Sequence, residues 1–400
     1  MRLKRLSENL EMSSMVECKK LGDVCCRIID GSHNPPKGVA ASSNYLLSSQ
    51  NVHDGYLDFT NVRYLSDEDF YKENQRTQVE AGDVLLTIVG TIGRACVLKG
   101  DEGNIAFQRS VAILKPTKLI QSQYLMYSLQ CLTRKLNAES KGGAQKGIYL
   151  KQLSNIQISV PSIPEQTRIV GILDTFTASI ENLKKQIVER RKQYEYYLNQ
   201  LLGFEGKDDN EIKCWGEICD IIKGSGVQKV DFIENGRGCI HYGQIYTHYG
   251  SFTYATNRFV SEEVFKKARK ASKGDIIMTD TSENVEDICK SVAYLGDDDI
   301  AVSNHALIIK HKQNAKFLSY STQTNSFFRQ KRKFVVGVKV SGIKPEHLDQ
   351  IKIFLPSLKE QSRIVAILDT FETSIANLKA QLKQREKQYE YYRNKLLTFD

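Results

Sequence analysis

The sequence predicts an α+β protein in which two mixed α/β domains alternate with two long helices, and the helices pair as an intramolecular antiparallel coiled coil. Three observations predict it. A segment of about 40 residues occurs twice in nearly the same form. The apolar residues of both copies recur in heptads, and the regions before them consist of short β-branched and aromatic runs broken by Gly, Asn and Asp.

The two copies of the repeat are offset by 195 residues, the distance from Gln166 to Gln361. The first copy reads E-Q-T-R-I-V-G-I-L-D-T-F from Glu165, and the second reads E-Q-S-R-I-V-A-I-L-D-T-F from Glu360. The motif K-Q-Y-E-Y-Y follows in both, and about two-thirds of the aligned residues are identical. Such agreement at one fixed offset indicates a duplicated structural unit.

Both copies are expected to form long helices, because their apolar residues alternate in spacings of three and four and so lie on one stripe of a helix. The stripe consists of Ile169, Leu173, Phe176, Ile180, Leu183, Ile187, Tyr194, Tyr197 and Leu201 in the first copy, and of Ile364, Leu368, Phe371, Ile375, Leu378, Leu382, Tyr389, Tyr392 and Leu396 in the second. Arg190 and Arg385 interrupt it at equivalent places. A single apolar stripe roughly 60 Å long needs a partner in water. The other copy is the nearest partner, which predicts the antiparallel pair.

The regions before the two helices are expected to be mixed α and β domains. Strands are predicted at residues 82–87, 110–114, 274–279 and 306–309, where β-branched and apolar residues run together. The domains share landmarks, such as L-G-D-V-C from Leu21 and W-G-E-I-C from Trp215, but between the landmarks their identity nearly vanishes. The two domains are therefore expected to share a framework and to differ in surface.

These features divide the chain into five parts. Residues 1–20 form an N-terminal segment whose order the sequence leaves open, 21–160 the first domain, 161–206 the central repeat helix, 207–357 the second domain, and 358–400 the C-terminal repeat helix.

Composition limits the classes of function. Lys and Arg number 56 against 47 Asp and Glu, a net charge of +9, which favours a polyanionic partner, although a solvated basic surface explains it equally well. The nine cysteines are scattered without zinc-ligand spacing, which indicates reduced thiols and a cytoplasmic protein. No apolar run is long enough for a membrane span or a signal peptide. Because no Gly-rich phosphate loop followed by Lys and Ser or Thr is present, neither a cofactor nor catalysis is expected of the chain.

The helix start P-x-x-x-E-Q-x-R-I-V-x-I-L-D, occurring twice behind two dissimilar domains, resembles the specificity subunit of type I restriction-modification enzymes. The resemblance covers nearly the whole chain. The segment D-G-S-H from Asp30 with Pro35 and Pro36, and the Gly-Asp-apolar strands at Gly82 and Gly274, are similar to target-recognition domains of that family.

The resemblance implies a non-catalytic, DNA-binding subunit that reads a bipartite, asymmetric site with two target-recognition domains, and whose helices act as a spacer ruler. It further implies two methyltransferase (modification) subunits docked on the helices and restriction motor-nuclease subunits that join for cleavage. S-adenosylmethionine, ATP and magnesium then belong to those partners.

Candidate DNA-binding residues are polar side chains in the loops that flank the predicted strands, because Arg and Lys pair with guanine edges and Asn and Gln with adenine edges. The candidates are His33, Asn34, Lys37, Thr91, Arg94, Gln108, Arg109 and Lys146 in the first domain, and Ser225, Lys229, Tyr242, Gln244, Tyr246, Asn304, His305 and Lys339 in the second. For each of them an ordinary surface role or a phosphate contact is an open alternative. For His33 and His305 a buried imidazole is a further one.

Two other sets of residues in the repeat receive separate interpretations. Glu165 and Gln166, like Glu360 and Gln361, are interpreted as first-turn residues that favour the helix dipole and satisfy free amides. Tyr196 and Tyr391 lie off the apolar stripe, so they are candidates for contact with a methyltransferase subunit.

Two alternative classes of function remain. A non-catalytic coiled-coil scaffold tethering two ligand-binding domains explains the heptads but not the alternating duplication. Salt-sensitive binding to duplex DNA separates it from a DNA reader, because phosphate contacts release counterions. A fused methyltransferase is the other alternative, and binding of its cofactor by the purified chain distinguishes it.

Overall fold

The computed structural model describes residues 16–141, 146–337 and 341–399, and the chain forms two compact units. Unit 1 extends to Leu183 and resumes at Gln381, and unit 2 is Lys184–Ala380. Each unit contains one mixed α/β domain and one half of each repeat helix. The expectation of two such domains alternating with two long helices is confirmed.

Unit 1 is built from short strands and helices that precede the first long helix. Its strands are β1 (Glu17–Lys20), β2 (Cys25–Asp30), β3 (Asn44–Leu47), β4 (Val52–His53), β5 (Tyr56–Leu57), β6 (Arg63–Leu65), β7 (Val84–Thr87), β8 (Ala95–Val97), β9 (Asn104–Phe107), β10 (Val111–Pro116) and β11 (Gln157–Val160). Its helices are α1 (Leu21–Val24), α2 (Asp67–Thr77), α3 (Ser122–Cys131), α4 (Thr133–Glu139), α5 (Leu150–Ser154) and the first half of α6 (Ile163–Leu202).

The central sheet of unit 1 is antiparallel, with strand order β2-β10-β7-β8, and helix α3 covers one of its faces. Alternate residues of β7 pack on opposite sides of the sheet. Val84 and Leu86 pack in one core with Tyr124 of α3, whereas Leu85 packs in another with Phe107. Because both faces are covered, the strand is apolar throughout, and it shows no alternation in the sequence.

Unit 2 contains a similar set of elements. Its strands are β12 (Ile212–Cys214), β13 (Cys219–Lys223), β14 (Phe232–Ile233), β15 (Arg237–Ile240), β16 (Phe252–Thr253), β17 (Arg258–Val260), β18 (Lys270–Ala271), β19 (Ile276–Thr279), β20 (Thr281–Ser282), β21 (Ser291–Tyr294), β22 (Ile300–Val302), β23 (Ala306–His311), β24 (Ser341–Gly342) and β25 (Lys352–Phe354). Its helices are α7 (Trp215–Ile218), α8 (Tyr242–Thr247), α9 (Glu262–Lys267), α10 (Ala315–Ser321), α11 (Asn325–Phe334), α12 (Pro345–Leu348) and the first part of α13 (Leu358–Thr398).

The two domains have the same sheet topology. The order β13-β23-β19-β21 repeats β2-β10-β7-β8, the pair β12–β25 repeats β1–β11, and β17-β15-β22 repeats β6-β3-β9. Even the sense of pairing agrees, since β3–β9 and β15–β22 are both parallel. Unit 2 adds β16 beside β21, and β14 and β18 at the two ends of the sheet that contains β17-β15-β22. The shared framework predicted from the landmarks is therefore present.

In unit 1 the first half of α6 pairs with the second half of α13. Ile169 and Leu173 are buried in one core with Leu396, and the rings of Phe176 and Tyr392 stack with centroids 5.4 Å apart. Lower residue numbers of one helix thus meet higher numbers of the other, which is the antiparallel arrangement. Arg385, in the apolar stripe, lies 5.6 Å from the centre of the Phe176 ring, so its charge is accommodated by a cation–π contact.

In unit 2 the remaining halves pair in the same sense. The guanidinium of Arg190 lies 5.9 Å from the centre of the Phe371 ring, matching Arg385. In the last turns of α6 the buried residues are Leu198 and Leu202, whereas Tyr197 of the predicted stripe is 44% exposed. The stripe shifts there because this end of the helix packs into the domain core that contains Trp215.

The glutamines that the two copies of the repeat share join each helix to its own domain. Gln166 is fully buried, its Oε1 accepts the Gln121 N–H at 2.9 Å, and its Nε2 donates to the Leu119 and Pro161 carbonyls at 3.0 and 2.9 Å. Gln361 has an equivalent role in unit 2, accepting from Asn314 N at 3.0 Å. Each glutamine therefore accepts a hydrogen bond from a free backbone N–H, as expected. That N–H belongs to the domain, however, and not to the first turn of the long helix.

The glutamate before each of these glutamines forms an ion pair with an arginine, which its interpretation as a helix-dipole residue did not include. Glu165 pairs with Arg168 through two hydrogen bonds of 2.7 and 2.6 Å, and Glu360 pairs with Arg363 at 2.8 and 2.6 Å. Each pair follows the (i, i+3) spacing at which side chains of a helix meet. The side chains of both ion pairs are partly exposed to solvent, so their contribution to stability is small.

The aspartate of the I-L-D-T-F motif makes a second connection between helix and domain. Asp174 accepts a hydrogen bond from the Tyr127 hydroxyl at 2.6 Å, and Asp369 accepts one from the Tyr320 hydroxyl at 2.7 Å. Burial is the largest cause that raises the pKa of both tyrosines, and the neighbouring carboxylates add to it. Both tyrosines therefore stay protonated and keep donating.

We expect Gln166→Leu to destabilise unit 1, and Gln361→Leu to destabilise unit 2, by about 2–4 kcal/mol each, because buried donors and acceptors lose their partners. Denaturant unfolding followed by circular dichroism measures the change. Gln193→Leu is the matched control, since Gln193 is exposed on the same helix as Gln166. A change in stability at Gln166 no larger than at Gln193 would contradict the assignment.

Candidate nucleic-acid interface

At one end of the central sheet of unit 1, loops connect to all four neighbouring strands. Strands β2 and β7 end there, and β8 and β10 begin there, because neighbours in the sheet are antiparallel. We call this region the loop end of unit 1, and it comprises residues 31–38, 88–94, 108–110 and 146–147. All eight first-domain candidates lie in these loops.

Backbone hydrogen bonds connect these loops into one surface. Ser32 N donates to Phe107 O at 2.7 Å, and Arg109 N donates to Ser32 O at 2.8 Å, which joins the loop after β2 to the turn before β10. Gly31 makes this approach possible, since a Cβ there would lie 1.9 Å from Phe107 O. Gly90 N donates to Lys146 O at 3.4 Å and brings the remaining loop to the same end.

The exposure of the unit 1 candidates suits contact with a ligand. His33, Asn34, Lys37, Thr91, Arg109 and Lys146 are exposed, whereas Arg94 and Gln108 are half-buried. For His33 the alternative of a buried imidazole is wrong, since its side chain is 57% exposed. Four cationic side chains, those of Lys37, Arg94, Arg109 and Lys146, thus occupy the loop end.

A chain of hydrogen bonds behind His33 was not predicted from the sequence. His33 Nε2 lies 2.7 Å from Asp30 Oδ2, and Arg76 of α2 donates to Asp30 Oδ1 at 2.5 Å and to the Asp30 carbonyl at 2.6 Å. Ser32 Oγ in turn donates to Glu73 Oε1 at 3.0 Å. Helix α2 therefore holds the loop after β2. Arg76 follows Asp30 by 46 residues, and no local pattern in the sequence connects them.

Unit 2 has an equivalent loop end, where β13 and β19 end and β21 and β23 begin. It comprises residues 224–229, 280–290 and 303–305, together with the adjoining helix α8. Gly224 N donates to Ala306 O at 2.8 Å, and a Cβ on Gly224 would lie 2.3 Å from Ser303 O, which matches the close approach of Gly31. Gly226 N donates to Asn304 Oδ1 at 3.1 Å and closes the surface.

The second-domain candidates lie in this loop end, with one exception. Lys229, Asn304 and His305 are exposed, and Ser225, Tyr242, Gln244 and Tyr246 are half-buried. Lys339 lies outside the described residues. The side chain of Gln244 is already engaged, since its Oε1 accepts His241 N at 2.8 Å and its Nε2 bonds to Asn257.

His305 has the least ordinary conformation of the candidates. Its φ of 64° lies in the left-handed region, which is uncommon for residues other than glycine and typical of functional sites. The side chain is 54% exposed, so for this histidine too the buried alternative is wrong. Its Nδ1 lies 3.8 Å from Oδ1 of the buried Asp280, a carboxylate oxygen without a hydrogen-bond partner among the residues that the structure describes.

The two candidates for partner contact occupy matching environments on the long helices. Tyr196 of α6 is 60% exposed and Tyr391 of α13 is 59% exposed. Each packs edge-to-face on the following tyrosine with ring centroids 5.3 Å apart. Both therefore present most of a phenol ring to solvent, each within its own unit.

Within residues 16–141, 146–337 and 341–399, no helix is both long and apolar enough to cross a membrane. The same part of the chain contains no cluster of His, Cys, Asp and Glu suited to a metal ion.

Comparison with known proteins identifies similar sequences over most of the chain. The family model of the type I restriction modification DNA specificity domain matches residues 16–190 and 207–386. The EcoR124I/EcoR124II specificity subunit of Escherichia coli is 30% identical over 303 residues, 69% of this chain and 70% of that protein. The MjaVIII specificity subunit of Methanocaldococcus jannaschii is 26% identical over 369 residues, 86% of each protein.

Solved structures share the fold. The type I restriction-modification S subunit from M. genitalium aligns with a TM-score of 0.56 and 14% identity, covering 97% of this chain and 98% of that chain. A chain from a solved type I R-M system aligns with a TM-score of 0.59 and 15% identity, covering 95% and 97%. At such identities the likeness is one of fold.

Proposed function

Because the chain belongs to the family of type I restriction-modification specificity subunits, we propose that it reads a bipartite, asymmetric DNA site, one half with the loop end of each unit. Subunits of this family recognise DNA for a complex and are not themselves catalytic. The observation that carries the proposal is the gathering of the predicted polar residues at the same end of two sheets of equal topology.

The asymmetry of the site follows from the chemistry of the two loop ends. In unit 1 the exposed candidates are Asn34 and the cations Lys37, Arg109 and Lys146 beside His33 and Thr91. In unit 2 the corresponding surface carries one exposed cation among the candidates, Lys229, with Asn304, His305 and the aromatic helix α8. Arginine and lysine favour guanine edges, whereas asparagine favours adenine edges. Two loop ends of equal framework and different side chains thus read two different half-sites.

The proposal includes assembly with type I methyltransferase subunits, two in number as membership of the family implies, and with restriction motor-nuclease subunits. The complex would act on DNA in the cytoplasm. S-adenosylmethionine, ATP and magnesium are then needed by those partners.

The experiment that tests this function compares the isolated chain with the reconstituted complex. We expect the purified chain to bind duplex DNA with an affinity that falls steeply as salt rises, and to show neither methylation nor cleavage. Methylation at a split site appears when modification subunits are added, and methylome sequencing identifies that site. Methyl transfer by the chain alone, or binding to duplex DNA that is insensitive to salt, would overturn the proposal.

We expect Tyr196→Asp together with Tyr391→Asp to weaken co-purification of modification subunits by about tenfold or more, because each change places a charge at the centre of a docking surface. Tyr71→Asp is the matched control, since Tyr71 is 66% exposed but lies on α2. Circular dichroism checks that the variants stay folded. Equal recovery of modification subunits by the double variant and the control would count against this docking site.

A further inference from the structure

A cavity of about 650 Å³ lies beside the loop end of unit 2. Residues of α8, β14 and β17 surround it, and the rings of Phe232, His241 and Tyr246 form part of its wall. Its charged lining consists of Lys229 and Arg258 against a single carboxylate, Glu234. The cavity is therefore aromatic inside and predominantly cationic at its charged groups.

His241 supplies a fixed hydrogen-bond donor to this cavity. The residue is 6% exposed, and its Nδ1 accepts the Gly243 N–H at 3.2 Å. Burial lowers the pKa of His241, and the charges of Lys229 and His305 lower it further, so the ring is neutral at pH 7. A neutral ring that accepts at Nδ1 carries its hydrogen on Nε2. Among the described residues no protein group accepts that hydrogen, and because His241 lines the cavity, water or a ligand there can accept it.

Rings connect the cavity to the loop end. The Phe232 and His241 centroids are 5.8 Å apart, His241 and Tyr242 are 4.3 Å apart, and Tyr242 and His305 are 5.6 Å apart. Flat apolar rings are the surfaces on which nucleobases stack, and this stacking tolerates any base. Lys and Arg beside such rings suit the phosphate of the same nucleotide. The arrangement combines the three contacts that a nucleotide offers: a ring face, a hydrogen-bond acceptor and a phosphate.

The helix that lines the cavity follows β15 in unit 2, and among the described residues of unit 1 no helix takes its place after the equivalent strand β3. In unit 2, strand β15 is followed by helix α8, which provides Tyr246. In unit 1 the equivalent strand β3 is followed by a turn, in which Ser48 N donates to Asn51 Oδ1 at 2.9 Å. The framework is shared, so helix α8, which forms one wall of the cavity, is an addition of the second domain within the described residues.

We propose that this cavity binds a single unpaired nucleotide, with the base against Phe232 and Tyr246, an acceptor of the base on His241 Nε2–H, and the phosphate between Lys229 and Arg258. A stacked base cannot enter a cavity, so a nucleotide of DNA would arrive only after displacement from the duplex. The same chemistry also fits a free mononucleotide. In its DNA form the inference rests on the proposed function, because it places the second half-site beside the cavity.

The test uses the full chain and two pairs of probes. The first pair is a 5′-deoxymononucleotide and inorganic phosphate, titrated by calorimetry. The second pair is a duplex carrying the site found by methylome sequencing, either fully paired or with one unpaired nucleotide in the second half-site. Arg258→Gln and Phe232→Leu alter the cavity. Arg237→Gln is the matched control. Arg237 lies on the neighbouring strand β15, its guanidinium is 4.1 Å from the centre of the Phe265 ring, and it does not line the cavity.

We expect the mononucleotide to bind more tightly than phosphate, and Arg258→Gln and Phe232→Leu each to weaken it by about tenfold or more, as loss of a charge-assisted contact or a stacking surface does. Arg237→Gln leaves it unchanged. An unpaired nucleotide that strengthens duplex binding by about tenfold identifies DNA as the source, because the cost of displacement is already met. If the unpaired nucleotide does not strengthen duplex binding but the mononucleotide still binds, the ligand of the cavity is a free nucleotide.

Two results overturn the inference. In one, phosphate binds as tightly as the mononucleotide. In the other, the mononucleotide does not bind and the unpaired duplex binds no more tightly than the paired duplex. Failure of the proposed function gives a different result. In that case the paired duplex shows no salt-dependent binding, whatever the mononucleotide does.

Discussion

Exchanging the second domain alone is expected to change one half of the recognised DNA site completely and to leave the other half unaltered. Replacing residues 215–355 with the corresponding segment of another family member exchanges the whole loop end of unit 2. Unit 1 keeps its own sheet and its own core, in which Leu85 and Phe107 are buried. Methylome sequencing of cells that express the hybrid with modification subunits measures the result.

The reciprocal exchange of residues 21–160 is the control, and it should alter the other half only. Both exchanges retain the glutamine of each helix start, and the incoming segment must supply a backbone N–H at the place where Gln121 N donates to Gln166. Hybrids in which both half-sites change would show that reading is not divided between the units.

Within unit 1 we expect a finer distinction between two cations. Arg94→Ala should relax the preference at one base pair at a cost of about 1–3 kcal/mol, as loss of a bidentate contact to guanine does. Lys146→Ala, at an exposed position of the same loop end, should weaken binding evenly across sequences and reduce the dependence on salt. Competition binding with single-position DNA variants separates these outcomes, and an even loss for Arg94→Ala would assign it to the phosphate backbone.

The framework could be predicted well because periodic patterns of apolar residues in the sequence determine it. The heptads placed Ile169, Leu173 and Phe176 on the paired face of α6. The candidate residues of both domains came together in space for a simple reason: loops that join neighbouring antiparallel strands must alternate between two ends of the sheet. Residues after β2 and before β10 therefore meet even though more than 70 residues separate them.

Other features depend on contacts between distant segments, and no local pattern indicates them. The shift of the buried stripe to Leu198 and Leu202 follows from packing beside Trp215, which periodicity within the helix cannot show. The clamp of Arg76 on Asp30 and the cavity beside α8 arise in the same way. The sequence pattern placed Gln166 in the first turn of the helix, and only the fold shows that its side chain accepts a hydrogen bond from Gln121 N.

Lengthening both long helices by one heptad is expected to lengthen the unspecified spacer between the half-sites. Helices α6 and α13 span 40 and 41 residues, and each passes from one unit into the other. A heptad inserted after Glu181 adds about 10.5 Å of helix and keeps the apolar stripe in phase. At a rise of about 3.4 Å per base pair, this corresponds to at most about three additional base pairs. Methylome sequencing reads the spacer and the specified bases together.

A matched heptad after Ala376 keeps the two helices equal in length, and comparison with either single insertion shows whether both must grow. An insertion of two residues is the control for added length without register, because it rotates the following stripe by roughly 200°. Tyr194 and Tyr197, which follow the insertion, then no longer face Phe371, and we expect loss of stability with no new spacer. Since neither loop end is altered, the specified bases should be the same in every folded variant. Folded heptad variants that keep the original spacer, or that change the specified bases, would show that the helices do not set the distance.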